Sequence, residues 1–590
     1  MMVDVNYQKR KNAELFKSLE DPKSLFLSNT QNYIPIYKRF FELNDTNWNS
    51  INLNHKWYIS NIKESDEENS NVFNCKIKNI NTQKTKEKDV FFKLAPLLDP
   101  YKYLIGKYDI NNKNLFKLPD INCDESSVNA KFLDQNNSAY VDGFFIYLTS
   151  NLNQTHNFLH GLDYYGSFLS IKNNYKLNIF DDLDYLTNSD FFNKNKNVLF
   201  KVNNYDHIFQ DENKKKKPIK IEYNLSSKSN LSINSIDDET FEEIFDNDNA
   251  SNLNVGNLNA SNLEELIDMS NSNILENNSK TATIKSTSTC SSRTSYTSSE
   301  NSDDKESDTD ELDTEIDELE KEEWEDIDEE DEEDIEETIE ATIPQFPVQV
   351  IGMEYCENTF DDLILSDELK DKNEWFSAFM QIIMILITYQ KTFAFTHNDL
   401  HTNNVMYNTT DKKYLYYCYK KKYYKVPTFG KIFKIIDFGR SIYKYNGKIF
   451  CSDSFQNGGD AATQYNTEPY FNDKKTRLEP NYSFDLCRLA CSIFDYLVDD
   501  LDEVKDLEKC DPVKKLVVEW CLDDKGINLL YKNNGDDRYP DFKLYKMIAR
   551  CVHNHTPQAQ LERPEFKSFE YSKKDIPSEV IDIDSLPSYI

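Results

Sequence analysis

Between residues 174 and 344 the chain stops offering material for a core. The stretch is rich in Asn, Ser, Asp and Glu, and a Ser/Thr tract from Lys280 to Ser302 runs into an acidic tract from Asp303 to Glu340. Residues 301–340 hold 25 acids against 2 lysines, a net of −23 out of a chain total of −35. A segment of that composition cannot bury enough apolar surface to offset its ordering entropy. It reads as a disordered insertion, with room for short local structure near 177–210 and acidic helix near 311–340. Whatever folds must be assembled from the sequence on either side, so 590 residues do not imply a string of domains.

The same block accounts for most of the charge. The remaining −12 is mild and creates no field that would attract nucleic acid. Eleven cysteines are scattered without a C-x-x-C pair, which fits reduced thiols in a cytosolic or nuclear setting. Cys487 and Cys491 share a helix face and read as core packing. The first ten residues lack the apolar run of a signal peptide. The most apolar stretch, Trp375 to Tyr389, carries Ser377, Gln381 and Thr388 and is too short for a bilayer, so it reads as a buried helix.

Before the insertion the pattern is that of strands. Trp57–Ile62, Val72–Lys78 and Asp89–Ala95 are separated by polar turns, and Gly161–Leu169 suggests another. The run Ala139–Leu148 reads as an amphipathic helix whose only acid is Asp142. Residues 1–54 read as an N-terminal extension of short helical patterns and Asn-rich breaks, in which Phe26–Tyr37 looks ordered, packed by its aromatics. After the insertion, Phe346–Glu357 reads as a strand leading into a linker.

The chemistry is concentrated further on. Thr396-His-Asn-Asp-Leu-His-Thr-Asn-Asn-Val405 puts Asp399 two residues after His397 and five before Asn404. Asp437 follows an apolar, strand-like run (Lys431–Ile436) and precedes Phe438 and Gly439. Phosphoryl transfer needs one carboxylate to take or orient the proton of the attacking hydroxyl, and a carboxylate plus an amide oxygen to hold magnesium. This spacing supplies all three.

Here the chain resembles the protein-kinase superfamily, and most of all the divergent serine/threonine kinases encoded by large DNA viruses. His397, Asp399 and Asn404 match the catalytic loop, and Asp437, Phe438 and Gly439 match the metal-binding D-F-G turn. The resemblance covers roughly 55–173 and 345–566. It implies an α+β, two-lobed fold: a small antiparallel β lobe (55–173, completed by 345–357 as fifth strand and hinge) and a mainly helical large lobe (358–566). Residues 1–54, the insertion 174–344 and a loose polar tail, 567–590, lie outside it. Lys93 would grip ATP phosphates, and Asp142 would be the helix acid that pairs with it. Met353 would lie behind the adenine, with Glu354 to Cys356 offering backbone hydrogen bonds. Asn404 and Asp437 would hold Mg2+. Asp485 matches the acid that holds the catalytic-loop backbone, and Arg563 the arginine that pairs with an acid after the activation segment.

Three departures stand out. No glycine lies between Trp57 and Lys93, so a bulkier turn around Ser65–Ser70 would have to cover the phosphates. Asp142 is one methylene shorter than the family's glutamate. No A-P-E triplet is present, which leaves Glu468 or Glu479 to stand in for its acid. The lysine- and tyrosine-rich run Lys412–Lys434 reads as a long solvated hairpin, although interleaved basic and aromatic residues also occur in nucleic-acid sites.

The expectation is ATP- and Mg2+-dependent phosphoryl transfer to serine or threonine of a protein substrate. Two alternatives stay open. One is a pseudokinase scaffold, favoured by the missing glycines. The other is a small-molecule kinase, favoured by His401 where protein kinases carry lysine. The acidic insertion is a candidate for meeting basic proteins, or the lysines of the hairpin. Neither nucleic acid nor membrane is an expected partner. The expected location is cytoplasmic or nuclear, in a host cell or virion for a viral protein.

Overall fold

A computed structural model describes residues 5–65, 71–203 and 339–590. The strands preceding the undescribed stretch are Tyr7–Lys9 (β1), Leu27–Gln31 (β2), Ile51–Leu53 (β3), Trp57–Ser65 (β4), Val72–Asn79 (β5), Thr85–Pro96 (β6), Tyr164–Asn178 (β7) and Lys201–Val202 (β8). Glu340–Glu354 (β9) follows it. Six of them form one antiparallel sheet in the order β2-β7-β9-β6-β5-β4, and β8 adds to β9. The strand from beyond residue 338 is therefore central, clasped between β7 and β6.

Alternation along the strands explains the layering. Val90 and Phe92 of β6, Phe73, Cys75 and Ile77 of β5, and Val348 and Val350 of β9 fill one core. The Ala13–Leu19 helix closes that core with Leu15 and Leu19. The expected N-terminal extension is thus part of the sheet layer, since β2 pairs with β7 and the helix before it caps the core. Lys93, next to Phe92, is sent to the opposite face. There the Ser138–His156 helix packs against β9.

The boundaries expected at 174 and 344 fall inside strands. Asn178 pairs with Glu340, Tyr175 stacks on Phe346 with ring centroids 5.0 Å apart, and two short helices, Leu183–Thr187 and Asp190–Asn195, precede β8. The outer parts of these strands alternate polar and apolar residues, so their composition blends into the insertion. All but the last two residues of the acidic tract, the whole Ser/Thr tract and most of the expected Ser65–Ser70 turn lie outside the described residues.

The second half mixes helices with short antiparallel strands. Lys372–Phe393 starts at Asp371, whose side chain accepts the Asn373 N–H, and is apolar on nearly all sides. It is the buried axis of this half, as its sequence suggests. Its Gln381 reaches out of the helix, donating to the Lys431 carbonyl (3.2 Å) and accepting the Phe433 N–H (3.1 Å). Pro512–Trp520 packs against it, Phe360–Leu365 meets it through Phe360 on the rings of Trp375 and Phe379, and Phe484–Leu497 lies between Pro512–Trp520 and Phe542–Cys551. Cys487 and Cys491 are both buried in the Phe484–Leu497 helix. Among the described residues no helix is long and apolar enough to cross a membrane.

Short strands complete this half: Asn358–Thr359 (β10), Val405–Thr409 (β11), Tyr414–Tyr419 (β12), Lys422–Pro427 (β13), Lys431–Ile435 (β14), Ile442–Tyr445 (β15), Lys448–Cys451 (β16), Glu570–Tyr571 (β17) and Ile581–Asp582 (β18). The β12–β13 hairpin is not a solvated arm. Leu415, Tyr417, Tyr424 and Val426 are buried, and β17 and β18 flank it in a four-stranded sheet. The tail, expected to be loose, is docked. Asp584 accepts the Lys420 and Lys421 N–H groups (both 2.8 Å), Glu570 and Glu579 pair with Lys422 (2.8 Å) and Lys412 (3.0 Å), and Tyr589 is buried against Phe393 and Tyr445. A few well-spaced apolar residues, Ile581, Ile583, Leu586 and Tyr589, anchor a segment that is polar on average.

Candidate active site

Lys93 leaves β6 on the face covered by the Ser138–His156 helix. Its Nζ lies 2.7 Å from Asp142 Oδ2 and 2.9 Å from Asp437 Oδ1. The short aspartate reaches because the helix sits close to the sheet at its neighbour, Gly143. A Cβ there would come within 2.3 Å of Gln349 Nε2 and 3.2 Å of Ile351 Cδ1. Gln349 cannot move aside freely, since it is buried and bonded to Ser167 Oγ at 2.7 Å. The missing methylene of the acid is thus offset by a missing Cβ in the helix.

Asp142 also accepts the Phe438 N–H at 2.9 Å, tying the helix to the turn after β14. Burial raises the Asp142 pKa despite the Lys93 ammonium. Asp437 is half-exposed and has φ 59°, the left-handed region that short polar side chains tolerate. Burial opposes its ionisation too, but Lys93 outweighs it and holds the carboxyl well below the usual range. Burial likewise opposes the charge on Lys93, and the two acids push its pKa above the ordinary lysine value. Phe438 is fully buried against Phe145, Phe395 and His397, which fixes the turn.

The His397–Asn404 loop begins where the long helix ends at Ala394, φ 49°. Asp485, fully buried at the start of the Phe484–Leu497 helix, accepts the His397 N–H (2.9 Å) and the Asn398 N–H (2.9 Å). Burial raises the Asp485 pKa, against the pull of His397 and those two N–H groups. His397 Nδ1 accepts the Asp399 N–H (3.3 Å), so its Nε2 donates to the Ile436 carbonyl (2.9 Å) and ties the loop to the Asp437 turn. Asn404 Nδ2 donates to the Asp399 carbonyl (2.9 Å) and to His401 Nε2 (3.0 Å).

The Asp399 side chain is buried. Its Oδ1 accepts the Tyr545 hydroxyl at 2.7 Å, and its Oδ2 lies 3.7 Å from Arg440 Nη1. Burial opposes its charge, but Arg440, His401 and Arg488 together lower its pKa. Burial pushes the His401 imidazole down to about 4 even with Asp399 beside it. Tyr545, Arg440 and Arg488 were not among the expected site residues.

The structure thus brings Lys93, Asp142 and Asp437 into one ion cluster and joins His397, Asp399, Asn404 and Asp485 through hydrogen bonds. Met353 is buried on β9, paired with Phe91 and Tyr164. The Glu354 N–H is already given to the Asp163 carbonyl (2.8 Å), so that backbone donor is not free for a ligand. Its carboxylate instead takes Lys434 (3.1 Å), Asn408 Nδ2 (2.9 Å) and the Asp163 N–H (3.1 Å). Cys356 is buried, and burial pushes its thiol up to about 12. Arg563 is not joined to Glu468 or Glu479. Those two pair with Arg477, and Arg563 pairs with Glu519 on the Pro512–Trp520 helix.

Magnesium can be weighed against the donors present. Among the described residues Asp437 engages only Oδ1 and the Asn404 side chain only its amide nitrogen, which leaves one hard oxygen on each. That donor chemistry suits a magnesium ion. Searches against protein-family models and curated proteins return no match to this chain.

Proposed function

We propose that this protein is an ATP-dependent phosphotransferase of the protein-kinase type, with a two-lobed kinase-like fold, acting on serine or threonine of a protein substrate. The observation that carries the reading is the Lys93 ammonium held between Asp142 at 2.7 Å and Asp437 at 2.9 Å. It stands beside a loop whose Asp399 and Asn404 are fixed by Asp485 and His397. A cation pinned by two acids is pre-set to meet nucleotide phosphates without reorganising, which is where such sites gain most.

In this reading Lys93 binds the phosphates, Asp399 accepts or orients the proton of the attacking hydroxyl, and Asn404 and Asp437 hold magnesium. Bound there, magnesium would neutralise charge on the phosphates. Asp142 keeps Lys93 in place, and the Phe438 N–H bond to Asp142 couples that helix to the metal-binding turn.

The missing glycines between Trp57 and Lys93 favour a second reading, a scaffold that binds partners without transfer. The two part in one experiment. Transfer of labelled phosphate from ATP to a generic protein is measured with and without magnesium. Magnesium-dependent labelling of serine or threonine is expected. Nucleotide binding without labelling of any acceptor, protein or small alcohol, would leave the scaffold.

A further inference from the structure

We propose that Tyr545 is the positioning residue of the Asp399 carboxylate, an inference that rests on the phosphotransferase reading above. Asp399 offers two oxygens, and the structure treats them differently. Oδ1 takes the Tyr545 hydroxyl at 2.7 Å, a short O–H···O⁻ bond. Among the described residues Oδ2 has only Arg440 Nη1 at 3.7 Å, which is beyond hydrogen-bond distance. One oxygen is pinned and the other is left to meet the proton of an incoming hydroxyl. That is the arrangement in which a base is oriented by a third group.

The phenol is built to stay where it is. Tyr545 belongs to the Phe542–Cys551 helix and is buried, with ring centroids 5.5 Å from Phe542 and 6.2 Å from Phe484. The guanidinium carbons of Arg488 and Arg440 lie 5.1 and 5.7 Å from its ring centre. Swinging the ring out would expose an aromatic surface and strip two cations from its π face. A hydroxyl so confined is a support for the carboxylate rather than a stand-in for a substrate that must leave. The His397–Asn404 loop fixes the backbone of Asp399, and Tyr545 fixes the remaining freedom, rotation of the carboxylate about its last bond.

The variant Tyr545→Phe keeps the ring and removes only the donor. With ATP, magnesium and a protein acceptor, kcat should fall by about 10- to 100-fold, the cost of a misdirected reacting group. KM for ATP, KM for the acceptor and nucleotide affinity should stay within twofold, because Lys93, Asn404 and Asp437 are untouched. An unchanged kcat would overturn the inference by making the contact merely structural. A higher kcat or a lower acceptor KM would overturn it by making Tyr545 an occupant of the acceptor position. Loss of nucleotide affinity together with kcat would overturn it as a general packing defect. Wild-type protein that transfers phosphate to no acceptor would instead remove the phosphotransferase reading, and this inference with it.

Discussion

Lys93 and Lys434 both sit on strands beside acids, and their surroundings part them. Lys434 Nζ spends its three N–H bonds on the Leu159 carbonyl (2.9 Å), the Gly161 carbonyl (2.9 Å) and Glu354 Oε2 (3.1 Å). Both oxygens of Glu354 are taken as well, and both side chains are nearly inaccessible. Nothing is left over to bind. Lys93 has two carboxylates for partners, and one of them, Asp437, is 50% exposed with an oxygen to spare. The same residue types make a closed cluster in one place and an open one in the other. Satisfaction of every donor and acceptor marks the structural cluster, and the surplus marks the candidate site.

The contrast can be broken by substitution. Asp437→Asn removes a charge from the open cluster without changing volume. Phosphate transfer should fall by about 10³-fold, as it does when a group stabilising transition-state charge is lost. The melting temperature should stay near wild type, since a half-exposed carboxylate adds little to stability. Survival of transfer within a few-fold would count against Asp437 as a metal ligand.

Lys434→Met should reverse the pattern. It leaves Glu354 buried without its cation, which typically costs about 3–5 kcal/mol. Chemical denaturation should show that loss, while nucleotide affinity at low temperature is retained. Comparable losses of stability in both variants would erase the distinction between the clusters.

Acid sharpens it further. His160, next to the closed cluster, bonds the Phe433 carbonyl through Nδ1 (2.6 Å) and the Tyr417 hydroxyl through Nε2 (2.7 Å), and burial pushes its pKa down to about 3. The imidazole is neutral in the fold, whereas in the unfolded chain it takes up a proton below about pH 6.5. Its contribution is therefore intact above that pH and erodes as pH falls toward 3, at roughly 2 kcal/mol between pH 6.5 and 5. His160→Gln should be less stable at neutral pH but lose that much less on acidification. Parallel pH curves for variant and wild type would refute the assignment.

The smallest effect expected is none. Asn398 accepts the Tyr465 hydroxyl (2.8 Å) and donates to the Arg440 carbonyl (3.0 Å), so neutral groups hold it. Asp453, buried, accepts the Ser138 N–H (2.9 Å) and pairs with Lys131 (3.3 Å), fastening the segment after β16 to the start of the Ser138–His156 helix. Neither contact needs a phosphate. Phosphatase-treated protein should transfer at the untreated rate, and total loss would count against this.

The loop from His397 to Asn404 was legible because its pattern is local: eight residues carry the histidine, the acid, the amide and their spacing. Lys93 was singled out by the resemblance rather than by its strand, since a lysine between apolar neighbours there has no local pattern of its own. What escaped depends on residues far apart. Tyr545 lies 146 positions from Asp399, and no local pattern links them. No local pattern ties Gly143 to Gln349, yet their closeness is why Asp142 can be short. Glu354 was expected to serve through its backbone, whereas its side chain carries the closed cluster. Arg563 found Glu519 because its segment lies against the Pro512–Trp520 helix, a choice that spacing alone does not reveal. The tail looked loose because four apolar anchors are diluted by polar neighbours.

The place of β9 in its sheet sets a timetable for the nascent chain. β6 and β7 are made first, yet each needs β9 as its neighbour, and β9 is encoded beyond residue 338. At ordinary translation speed the gap is on the order of ten seconds. Through that interval two strands emerge with their shared partner still unsynthesised, each offering a bare edge to any other chain nearby. The sheet that carries Lys93 is therefore completed late, and its hour of greatest exposure comes on the ribosome.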